Sequence, residues 1–90
     1  MNITALFSIQ KPSEKEMENV DTERAWLSFL LRIREIVKPK TKTQILGEIV
    51  LLIEMNSDAT VLFSAIQLCQ SRNISYQLAF LSEPVEWIKS

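Results

Sequence analysis

Ninety residues, 47% hydrophobic and 23% charged with a formal net charge of −1, match a single folded domain rather than a disordered chain. Near-neutrality gives no overall field to draw the molecule onto nucleic acid or an anionic membrane. The longest unbroken apolar run, IVLLI at 49–53, is far short of the ~20 residues of a membrane-spanning helix.

The absence of histidine argues against imidazole triads, proton shuttles and the usual zinc sites. A single glycine argues against glycine-rich phosphate loops, and a single cysteine against an intrachain disulfide. No pattern here calls for a cofactor or a metal. The start, MNITALFSIQ, lacks the basic residues and long apolar core of a secretory signal. The expectation is a soluble, cytoplasmic, non-catalytic protein forming one α+β domain over 1–90.

Residues 2–10 alternate, with Ile3, Ala5, Phe7 and Ile9 on one face and Asn2, Thr4, Leu6, Ser8 and Gln10 on the other. That period of two predicts a strand with one buried face. KPSEKEMEN, 11–19, has charge and a proline but no period, and predicts an exposed loop. A helix is predicted from about Thr22 to Val37, capped by Asp21 or Thr22 and stopped by Pro39. Trp26, Phe29, Leu30, Ile33, Ile36 and Val37 form its apolar stripe, with Arg24, Ser28, Arg32 and Glu35 on the wet side.

Gly47 suits the first central position of a two-residue type II′ hairpin turn, with Glu48 the second, because that position takes a positive φ. This divides ILGEIVLLIEM into an edge strand, 41–46, and a central strand, 49–55, with Leu46 opposite Ile49. A second helix is predicted from about Ala59 to Arg72, capped by Asn56, Ser57 or Asp58 and closed by a left-handed Asn73. ISYQLAFL, 74–81, alternates again, with Ile74, Tyr76, Leu78 and Phe80 inward. The tail SEPVEWIKS predicts a short helical turn or strand segment that lays Trp87 and Ile88 over the core.

The order β-α-β-β-α-β is that of a two-layer ferredoxin-like sandwich, a four-stranded antiparallel sheet ordered 4-1-3-2 with both helices on one face. The alternative is β-α-β-α-β with a three-stranded parallel sheet, which needs one long strand through Gly47. In the first arrangement the uncovered face shows Thr4, Leu6 and Ser8 beside Ser75, Gln77 and Ala79. The central strand adds either Val50, Leu52 and Glu54 or Ile49, Leu51 and Ile53. Either set is apolar enough to point to an interface. Eight of the eleven residues from Ala59 to Cys69 are apolar, a wider stripe than one buried helix face needs.

The candidate interface is therefore Leu6, Val50 and Leu52 on the sheet with Val61, Phe63 and Leu68 on the second helix. The expected partner is a second copy or another small protein. The competing explanation is that Val85–Ile88 cover the second face of the central strand and the second helix simply packs tightly. A polar cluster, Glu54, Asn56 and Asp58, lies at the end of the central strand, where helix capping explains Asn56 and Asp58 and leaves Glu54 unassigned. Arg32, Arg34, Lys38, Lys40 and Lys42 place half of the ten Lys and Arg within eleven residues. They are either a polyanion or nucleic-acid contact or a solvated surface. Cys69, late in an apolar helix, reads as core filler.

Overall fold

The computed structural model describes residues 3–37, 42–47 and 49–82. The expected stop at Pro39, the turn role of Glu48 and the placement of Val85–Ile88 lie outside them. The described elements are β1 (Thr4–Ile9), α1 (Glu14–Met17), α2 (Val20–Ile36), β2 (Gln44–Leu46), β3 (Val50–Glu54), α3 (Met55–Ser71) and β4 (Tyr76–Leu81).

The strands form one open antiparallel sheet in the order β2-β3-β1-β4, which from the other edge runs β4-β1-β3-β2. Every pairing is antiparallel, so the three-stranded parallel alternative is ruled out. Register assigns the faces. Ala5 lies opposite Ile53 and Phe80, Phe7 opposite Leu51 and Leu78, and Ile9 opposite Tyr76. Ala5, Phe7, Ile9, Leu51 and Ile53 are buried together with Trp26, Phe29, Leu30 and Ile33 of α2 and Val61, Leu62, Ala65 and Cys69 of α3. Both long helices thus pack on one sheet face, an arrangement compatible with a two-layer sandwich.

Several local expectations are corrected. The stretch 11–19 is not all loop, because Ser13 and Glu16 form a reciprocal capping box that starts α1. No residue of α1 is buried, so it remains surface. Helix α2 begins earlier than predicted. Its cap is Asn19, whose Oδ1 accepts from the N–H of Asp21 at 2.9 Å and of Thr22 at 3.3 Å. Asp21 and Glu23 then occupy the first turn, where negative charge suits the helix dipole.

Gly47 does take a positive φ, +62°, but the hairpin register is one residue off the two-residue turn. Leu46 pairs with Val50 and Ile45 with Leu51, whereas a two-residue turn would set Leu46 opposite Ile49. The reason is the core. Ile45 and Ile49 both pack against the buried cluster, and a one-residue slip would send the strand's apolar set to the other face.

Helix α3 starts at Met55 rather than Ala59. It is interrupted at Asp58, whose φ of −121° and ψ of 28° are not helical, so the regular run does begin at Ala59. At its far end Asn73 adopts the expected left-handed conformation, φ +55°. The Asn73 N–H donates to the Gln70 carbonyl at 3.4 Å and the Ile74 N–H to the Cys69 carbonyl at 2.9 Å, closing a Schellman turn.

Candidate functional site

The sheet face away from the helices is set by the rows Gln44–Leu52–Leu6–Ala79, Leu46–Val50–Ser8–Gln77 and Glu54–Thr4–Leu81. Of the two sets that the sequence left open for the central strand, Val50, Leu52 and Glu54 point to this face. Leu52, on an inner strand between Gln44 and Leu6, is only 7% exposed even here. It is therefore not a free contact residue. Leu6 and Val50 are half-buried.

The helical part of the expected interface is mostly corrected. Val61 is 5% exposed and belongs to the core, and Leu68 is partly buried against that core. The broad apolar stripe of α3 is explained by packing against both the sheet and α2. Phe63 alone of the three is open to solvent, at 64%.

The three residues of the polar cluster differ in burial and in partners. Asp58 is 6% exposed, and its Oδ2 accepts from the Lys42 backbone N–H at 2.6 Å and the Thr43 hydroxyl at 3.0 Å. It does not cap α3 as expected. It ties the approach to β2 onto the start of α3, at the position where the helix is interrupted. Glu54 occupies the N-cap position of α3 without a side-chain cap bond. Its carboxylate lies 3.8 Å from Lys42 Nζ, with both side chains substantially exposed, a pair worth little energetically. Asn56 is exposed in the first turn. Among the described residues no group of three Asp, Glu or Cys gathers as a metal site would require.

Three of the five basic candidates, Arg32, Arg34 and Lys42, are among the described residues. Arg32 donates to Glu35 at 2.6 Å on the solvated side of α2, and Lys42 is beside Glu54. Arg34, two residues from Arg32, points to a different side of the helix. Lys38 and Lys40 lie outside the described residues. No described helix is long and apolar enough to cross a membrane.

Cys69 is fully buried, and desolvation pushes its thiol up to about 11 from 9.0. A protonated, inaccessible sulfur is a poor nucleophile. In the native chain it should resist iodoacetamide at pH 8 and react promptly in denaturing urea; fast native labelling would contradict the packing described. The sign of the pH effect follows from the raised value. This thiol's contribution to stability is intact below 9.0 and is lost as pH rises through about 11. Alkaline unfolding followed by tryptophan fluorescence would show it, with Cys69→Ala flattening that decline.

The most exposed part of the sheet is β4, which the alternation marked as facing inward. Tyr76 does so, its ring stacked on Phe7 at 4.9 Å. Leu78 and Phe80 lie on the helix-side face by register, yet remain 36% and 57% exposed, and Leu81 on the other face is 38% exposed. Helix α3 lies over β3 and β1, whereas β4 is an edge strand. No family model, curated protein or solved structure matches the chain. One signal in the sequence did foreshadow this site: from Asn73 to Ser82 there is no charged residue, although edge strands are commonly guarded by charge.

Proposed function

We propose that this chain is a small, non-catalytic, cytoplasmic protein-interaction module of ferredoxin-like architecture that self-associates through its sheet. The strand order β4-β1-β3-β2 with two helices on one face supports the architecture, α1 being an addition to it. The observation that carries the function is β4, an uncharged outermost strand with Leu78, Phe80 and Leu81 open to solvent. Clustered apolar side chains on a soluble surface mark contact sites.

Sedimentation equilibrium from low to high micromolar concentration tests it. The apparent mass should climb from 10.4 kDa toward twice that value, and Phe80→Lys should hold it at the lower one. A wild-type chain that stays at monomer mass throughout would overturn self-association.

A further inference from the structure

Building on that reading, we propose that two copies of this chain join edge to edge, β4 against β4 in antiparallel register centred on Leu78, making one continuous eight-stranded sheet. The backbone decides which groups are available. The Gln10 N–H donates to the Ser75 carbonyl at 2.9 Å, and by the β1–β4 register residue 10 lies opposite residue 75. In an antiparallel ladder such bonded pairs alternate with unbonded ones. Residues 75, 77, 79 and 81 therefore spend their N–H and C=O groups on β1. Tyr76, Leu78 and Phe80 direct theirs outward, and among the described residues no strand receives them.

A two-fold axis normal to the sheet keeps the helix sides of both copies together, and it requires that facing residues come from the same face. Centring the axis on Leu78 satisfies all three outward residues at once. Leu78 meets Leu78 of the partner, and Tyr76 meets Phe80 of the partner on either side, each as a doubly bonded pair. The side chains agree with the backbone. The exposed Leu78 and Phe80 gain apolar neighbours, and on the other face Gln77 falls beside Ala79. The strand is uncharged, so superposing it on its own copy opposes no like charges. The other edge, β2, is three residues long and is entered at Lys42, features that blunt an edge.

Two variants and one cross-link test this. Proline is tolerated in an edge strand where the lost N–H faces outward. Leu78→Pro should therefore keep the native circular dichroism and weaken dimerisation by more than about tenfold, since both copies lose a donor at the axis. Leu78→Cys places the two new thiols on an antiparallel bonded pair, with Cα atoms about 5.5 Å apart, inside the ~4.4–6.8 Å range of disulfides. Under oxidised glutathione it should give a covalent dimer, the buried Cys69 of the parent giving none. Phe80→Cys should not cross-link to itself, because the two positions lie about 13 Å apart along the strands. A dimer that survives Leu78→Pro, or that leaves Leu78→Cys uncross-linked, overturns edge pairing while leaving self-association intact. A strict monomer overturns both. Should Leu78→Pro fail to fold, the Leu78→Cys and Phe80→Cys pair decides alone.

Discussion

Replacing Phe7 by alanine is expected to cost about 3–5 kcal/mol, the range for truncating a fully buried phenylalanine. Phe7 has no exposed surface, lies on an inner strand and stacks on Tyr76 at 4.9 Å. It also sits in the cluster where α2 and α3 meet the sheet, so the cavity left behind cannot be filled by moving one neighbour. Domains of this size have total stabilities of about 0.05–0.15 kcal/mol per residue, so the loss consumes much of what holds the chain folded. Urea titration followed by tryptophan fluorescence should show the midpoint fall sharply or the transition vanish. The matched control is Leu6→Ala on the same strand. Leu6 is half-buried on the uncovered face, and its truncation should cost markedly less. Equal losses at the two positions would refute the assignment of faces.

Asp58→Ala is expected to destabilise the chain by about 2–4 kcal/mol. The carboxylate accepts from the Lys42 N–H and the Thr43 hydroxyl, hydrogen bonds to a charged group contribute about 1.5–3 kcal/mol, and Thr43 is itself buried. Truncation leaves a buried hydroxyl and a backbone N–H without their acceptor. Asp58→Asn keeps one acceptor oxygen and should cost less, and Thr43→Val less again, about 1 kcal/mol. The effect should be local as well as global. β2 is three residues long and, among the described strands, pairs only with β3, so loss of the Asp58 anchor should speed amide exchange at residues 44–46 before the rest of the sheet. Unchanged exchange there would mean that the Asp58 contact does not hold β2.

Both residues show how far a sequence carries. Phe7 is placed correctly by local pattern, since alternation in 3–9 states which side chains share a face and composition states which face is buried. Asp58 was legible only as a polar residue near a helix start. Its partners, Lys42 and Thr43, are 16 and 15 residues away in the chain, and nothing in local propensity points to them. The same limit explains Val61 and Leu68. An apolar stripe that is too wide for one buried face fits an interface or a helix wedged between sheet and neighbour, and only packing distinguishes the two.

The succession of strands and helices along the chain follows from the sequence because its causes are local. Gly47 can turn the chain at positive φ, Asn73 can close a helix in the left-handed region, and period two gives way to the helical period at recognisable points. The one-residue register of β2 on β3 does not follow, because it is chosen by where Ile45 and Ile49 find the core, across residues far apart in sequence. Nor does the exposure of β4. Leu78 and Phe80 repeat the pattern of a buried strand, but burial also needs a layer above them. The sheet order puts β4 outermost while α3 lies over β3 and β1. A periodic pattern records which face a side chain takes; how much of that face the helices cover is a property of the assembled layers.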